Sequence, residues 1–280
     1  MAAAQRPPIS EVVVSISFDA QPQSTGPQLV MSLTDLAASY PSLQEQPLYE
    51  MPVELPPEEE ILKPAIPEFN FAVGPMRMDR RYWLSANEPD PFLIQVQSNY
   101  FALNWRDQTG QFEYPGFEAI EADFRRYLSK FEQAILARGG EPLQIKQVEV
   151  TYINTLRPDD TWRDVSQLKD VIRLSYSDLP NSEQVSLAYS TIVTGETGAF
   201  SGRVHTALQT GYQPEHSDLT PRPLTRADLI PVVNISITTR SAQIKASSNE
   251  LGAHLQLAHD SNIQAFRSLV TDAALQNWGL

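Results

Sequence analysis

His259 and Asp260, side by side near the end of a 280-residue chain, are its sharpest polar feature. Glu250, His254 and Asn262 fall on the same predicted helix. A neutral imidazole is the usual proton acceptor near pH 7, so His259 oriented by a carboxylate such as Glu149 would suit general-base chemistry. The plainer reading is that His259 and Asp260 make helix-to-strand hydrogen bonds, as buried polar groups commonly do. His254 and His259 are five positions apart, about 140° around a helix, and cannot share one metal as an i, i+4 pair would. No metal site and no cofactor are therefore expected.

Other reactive patterns are absent from the sequence. It contains no G-x-x-x-x-G-K-[ST], no G-x-S-x-G and no H-E-x-x-H, and no G-x-G-x-x-G follows a strand. Gly195 and Gly198 in TGETG join two predicted strands and do not open a helix, so they lack the geometry of a phosphate loop. The acidic runs Asp159-Asp160 and Glu58 to Glu60 lie in predicted loops, where both members of a pair share the same solvent. No catalytic residue is assigned.

The second candidate is a surface. In FLIQVQSNYFALNWR, Phe92 to Arg106, two alternating strands meet at Ser98-Asn99. Alternation puts Phe92, Ile94, Val96, Phe101, Leu103 and Trp105 toward a core, and Leu93, Gln95, Gln97, Tyr100, Ala102 and Asn104 on the opposite face. Glu149, Thr151 and Asn154 of a later strand fall on that outer face too. Such a row is either the wet side of an antiparallel sheet or a binding surface. Leu93 and Tyr100, if exposed together, would mark a partner contact.

The elements that position these residues come in a repeated order. A strand at Glu11 to Phe18 precedes a short helix opened by Gly26-Pro27 and ended by Pro41. Prolines at 41, 47, 52, 56, 57, 64 and 67 then break helix and ladder alike, and an extended acidic surface loop is expected over 41–68. Its apolar members, Leu48, Tyr49, Met51, Val53 and Leu55, imply that part of it packs. Strands follow at Tyr82 to Ser85 and in the hairpin, then an amphipathic helix over Tyr114 to Arg138 with Gly139-Gly140 at its end.

The second half reads alike. A strand at Gln144 to Leu156 has a bulge expected near Gln147, because Ile145 is out of phase with Val148, Val150 and Tyr152. After a brief helical piece at Trp162 to Lys169 come strands at Val185 to Val193, Phe200 to Tyr212 and Leu229 to Arg240, and then a helical region from Asn249 to Leu280. The expected fold is a single α+β domain: a large curved antiparallel sheet with two long helices on one face. Its half-units, 7–140 and 141–280, each read strand, short helix, three strands, long helix.

Composition narrows the partners. With no cysteine, disulfides and thiolate zinc sites are excluded. No apolar run suits a signal peptide or a membrane span, so a cytoplasmic protein without membrane contact is expected. Net charge is −13, with seven glutamates against Lys63 in Pro41 to Glu68. That sign repels phosphate, and the basic clusters, Arg77, Arg80, Arg81 and Arg125 with Arg126, are small; nucleic-acid binding is disfavoured.

Several segments together carry a resemblance: PPISEVVVSISFD at Pro7 to Asp19, LIQVQSNYFALNWR followed by YPGFEAIEADF, VEVTYIN at Val148 to Asn154, and AHDSNIQAFRSLVTDAALQNWG at Ala258 to Gly279. In their order and spacing the chain resembles a sporadically distributed bacterial protein family without an assigned activity. The resemblance implies one α+β unit and a small accessory protein of prokaryotes. It carries over no catalytic residue, and the acidic Pro-rich loop has no counterpart in it. The functional expectation is a non-enzymatic binding or assembly protein acting through a sheet face or edge, with a protein partner or itself, within a multi-protein bacterial system. The alternative is a small-molecule binder or enzyme with a pocket between the C-terminal helix and the sheet, using His259 and Asp260.

Overall fold

The computed structural model describes residues 7–59, 80–87, 89–107, 110–159, 162–173, 184–195, 198–214, 225 and 228–280. Alternating side chains become strands wherever one parity is apolar. β1 (Ile9–Phe18) thus buries Val12, Val14, Ile16 and Phe18 on one face. Helices α1 (Gly26–Ser32) and α2 (Thr34–Ala37) press Leu29, Leu33 and Leu36 into the same core. β2 (Ser42–Gln46), β3 (Arg81–Ser85), β4 (Phe92–Gln97), β5 (Tyr100–Arg106) and α3 (Phe117–Leu136) complete the first half. β6 (Ile145–Leu156), a 3-10 turn at Val165–Asp170, β7 (Ser186–Thr194), β8 (Phe200–Pro214), β9 (Leu229–Ser241), α4 (Gly252–Leu269) and α5 (Asp272–Asn277) form the second.

The described strands make one nine-stranded sheet in the order β2-β3-β4-β5-β1-β6-β9-β8-β7, with every pairing antiparallel. β1 and β6 meet at the centre. In each half the following meander returns its last strand, β5 or β9, to the free side of the central strand. Val14 faces Val150 across the centre, and their outer partners Leu103 and Thr239 lie equally far along the chain from them. The repeat of element order read from the sequence is therefore a repeat in space, with β3 to β5 matching β7 to β9 and β2 an added edge strand of the first half. Helix α3 packs on β1 and β5 and α4 on β6, β8 and β9, covering the same face from the two sides of the centre. The bulge expected near Gln147 is present, as a register shift between Ser17 and Phe18 of β1 that skips a residue of β6.

Two boundaries differ from the expectation. The segment read as loop from Pro41 begins with β2, because five residues free of proline between Pro41 and Pro47 suffice for an edge strand on β3. The C-terminal helical region is broken at Val270, whose extended backbone pairs with Ile172, and Thr271 then caps α5 by accepting from the Ala274 N–H. Residues 60–68 of the acidic segment lie outside the described residues.

A second bulge, with Ser201 as the extra residue between Val193↔Gly202 and Thr194↔Phe200, sets the phase of β8. Gly202 has φ 150°, and a Cβ there would stand 2.2 Å from the Arg240 carbonyl oxygen. Gly211 on the same strand has open space around its missing side chain. Gly202→Ala should therefore lose at least about 2 kcal/mol in urea denaturation, whereas Gly211→Ala should stay within about 0.5 kcal/mol of wild type.

Candidate functional site

The outer sheet face carries polar residues in register. One cross-strand row runs from Trp83 on β3 through Gln95, Ala102, Ser15, Glu149 and Arg240 to Arg203 on β8. His205 stands two residues beyond Arg203, on the same face. This face is not open water. Leu93, Gln95, Gln97, Tyr100, Asn104 and Glu149, the expected surface, are all buried, and the patch envisaged for Leu93 and Tyr100 is closed.

Part of the cover is the chain's own Pro-rich segment. After β2 it turns across the strands, and Tyr49 to Leu55 forms a strap over the outer face. Proline cannot donate to a ladder, so the strap cannot join the sheet as a strand. Side-chain amides take the place of backbone partners. Gln97 accepts the Tyr49 N–H at 3.0 Å and donates to the Tyr49 carbonyl at 2.6 Å. Gln147 accepts the Glu54 N–H at 3.3 Å and donates to the Pro52 carbonyl at 2.8 Å. The Tyr49 ring stands edge-on to Tyr100 at 5.1 Å between centroids, with the Arg81 guanidinium 5.9 Å from its own.

Glu54 is the one residue of the strap that is buried outright. Arg203 Nη1 donates to its Oε2 at 2.9 Å, Arg240 Nη1 to its Oε1 at 2.8 Å, and His205 Nε2 lies 2.6 Å from Oε1. Arg203 Nη1 also donates to the Leu55 carbonyl at 2.7 Å. Arg240 Nε donates to Glu149 Oε2 at 2.6 Å. Two guanidiniums thus share two carboxylates, which offsets the desolvation each charge would otherwise suffer. Burial alone would raise the Glu54 carboxyl, but the hydrogen bonds from His205, Arg203 and Arg240 prevail and hold it at about 2. Burial and the nearby Glu149 charge raise the Tyr49 hydroxyl, so it stays a neutral phenol.

The first half of the face carries an amide-centred analogue. Gln95 accepts from Trp83 Nε1 at 3.0 Å and Arg81 Nη1 at 3.2 Å and donates to Asn104 at 2.7 Å; Asn104 in turn donates to Glu11 at 2.5 Å. Arg81 Nε is buried and without a hydrogen-bond partner.

His259 and Asp260 separate. His259 stacks on Phe117, ring centroids 4.2 Å apart and planes 2° from parallel, and its Nδ1 lies 2.8 Å from the Tyr152 hydroxyl, which meets Tyr114 at 3.3 Å. Burial holds this imidazole below its ordinary value against the opposing pull of Asp260, Glu118 and Glu121. Asp260 accepts from Gln256 on its own helix, and Glu149 lies on the far face of the sheet from Tyr152. Orientation of His259 by Glu149 is therefore corrected by the register. Asn262 bridges helix and sheet, accepting from Thr239 at 2.7 Å and donating to the Val150 carbonyl at 2.9 Å. Of the basic clusters, Arg77 lies outside the described residues, Arg80 is 3.6 Å from Glu45, and Arg125 and Arg126 pair with Glu121 and Asp123.

A Ser190–His205–Glu54 chain, with Ser190 Oγ 2.8 Å from His205 Nδ1, has the order of an activated nucleophile. Glu54, however, shares its charge with two guanidiniums, and Ser190 sits on the exposed edge strand β7. Sequence reasoning named Glu149 but missed Glu54, Gln147, Arg203, His205 and Arg240. The one sequence signal for Gln147, Arg203, His205 and Arg240 is a charged or amide side chain in the outward phase of a strand, and Glu54, in the Pro-rich segment, has none.

Compared with known proteins, the chain matches no family model, no curated protein and no solved structure. Among the described residues, no helix is long and apolar enough to cross a membrane.

Glu54 makes the strap acid-labile in a defined direction. Its depressed carboxyl contributes stability that is complete above the ordinary carboxylate value near 4.5 and is lost as pH falls toward about 2. The full contribution corresponds to about 3 kcal/mol. Urea denaturation of wild type and Glu54→Gln between pH 6 and pH 2 should show the wild-type advantage shrinking toward zero over that interval.

Proposed function

We propose that this protein is a non-enzymatic binding protein whose working surface is the outer face of the sheet, gated by the Tyr49–Leu55 strap. The observation that carries this reading is the way the strap is held: two glutamines grip main chain, and one buried charge cluster grips the Glu54 side chain and, through Arg203, the Leu55 carbonyl. Contacts of that kind recognise an extended segment and leave strap side chains such as Val53, 55% exposed, facing away. A protein partner in a multi-protein bacterial system, or a second copy of the chain, would present such a segment. The small-molecule alternative loses support where His259 is filled in by Phe117 and Tyr152 and parted from Asp260.

Opening the face tests the reading. Tyr49→Ala/Glu54→Ala should retain its far-ultraviolet circular dichroism and recover specific proteins from its host at least tenfold above wild type. Adding Gln97→Ala/Gln147→Ala should abolish that gain. Equal recovery by all three forms would refute a role for the face. Covalent labelling of Ser190 by a fluorophosphonate probe would instead favour a hydrolase; no labelling is expected.

A further inference from the structure

The strap's seat measures a distance as well as a charge. Gln97 is on β4 and Gln147 on β6, three strand spacings apart in the order β4-β5-β1-β6, or about 14 Å. Five residues of polyproline-like chain rise about 15.5 Å. Five positions is the step from Tyr49, held at Gln97 and Tyr100, to Glu54, held at Gln147 and the arginines.

We infer that the seat accepts an extended peptide of a partner protein bearing an aromatic residue and, five positions on, a carboxylate, and that the strap is an internal copy of this ligand. The inference rests on the reading of the outer face as a binding surface and adds the chemistry of the partner. Charge supports it. The strap brings one carboxylate, Glu54, to the point where Arg203, Arg240 and His205 converge, so an acid is the group that this end of the seat takes. Glutamine amides read main chain whatever the side chains, so selectivity falls on the ring and the acid. The tethered strap competes at an effective concentration of roughly millimolar, so a partner displaces it only by adding contacts. The buried, unpartnered Arg81 Nε, in the guanidinium that faces the Tyr49 ring, is a donor the strap leaves unused.

A fluorescently labelled peptide of residues 46–58 provides the probe, titrated into full-length Tyr49→Ala/Glu54→Ala and into wild type by anisotropy. Hydrogen exchange at residues 49–55 of the protein reports whether the strap has left. Expected are release in the variant and peptide affinity at least tenfold above that of wild type. A tenfold or greater loss should follow from Glu54→Gln in the peptide, and likewise from one glycine inserted between Pro52 and Val53. Release without binding, or binding indifferent to the acid and the spacing, overturns the inference. Continued protection of 49–55 overturns the claim that ring and carboxylate anchor the strap. If the opened variant captures a host partner yet ignores the peptide, the five-residue rule alone is wrong; if it does neither, the reading beneath it fails as well.

Discussion

Two guanidiniums stand side by side on adjacent strands of this sheet, Arg203 opposite Arg240, and both are nearly excluded from water. Like charges placed directly across a ladder repel, and each loses hydration on burial. Glu149 on the next strand relieves Arg240, and Glu54 reaches both arginines from a segment outside that half of the sheet. This fourth charge, brought from the strap, lets the pair be buried under the closed face. The path of the strap, the burial of the expected surface row and the phase set by the Ser201 bulge all serve that arrangement.

The two faces are covered by opposite means. On the inner face, long amphipathic helices lay apolar stripes over apolar strands, with Phe131 and Phe124 of α3 against Phe101. On the outer face an extended segment without regular structure is fixed by paired amides and ions. The first is non-directional and tolerant of small shifts; the second depends on hydrogen-bond geometry at a few points. The repeat relating the halves extends to the outer polar clusters only in part. Gln95, Asn104 and Glu11 form an amide-centred network in one half, and the arginine pair occupies the other.

Much of this fold was legible in residue order. The alternation in Phe92 to Arg106 gave inward and outward parity correctly, and the phase error at Ile145 located a bulge. β2 escaped notice because Ser42 to Gln46 has no apolar alternation and pairs as an exposed edge. The site was harder to read. Glu54 sits among seven glutamates with nothing in its neighbours to single it out, and its seat is assembled from strands whose register cannot be deduced from local pattern. What the sequence did hold was the combination of dense proline with Tyr49 and other apolar residues, which pointed to a segment that lies on something.

Glu54 and Arg240 are 186 positions apart in the chain. Ribosomes add roughly 5 to 20 residues per second, so the strap waits on the order of 10 to 40 seconds for its seat. β1, β3, β4 and β5 with α3 have all been made by Leu136, and they can assemble while the arginines are still to come. A segment left idle that long is exposed to wrong pairing, and edge-to-edge addition is the usual route. Prolines at 47, 52, 56 and 57 together with negative charge deny it the ability to add to a sheet edge. The composition that keeps Tyr49 to Leu55 out of the ladder in the finished molecule thus also keeps it unattached during synthesis, until the strands that carry its arginines have been made.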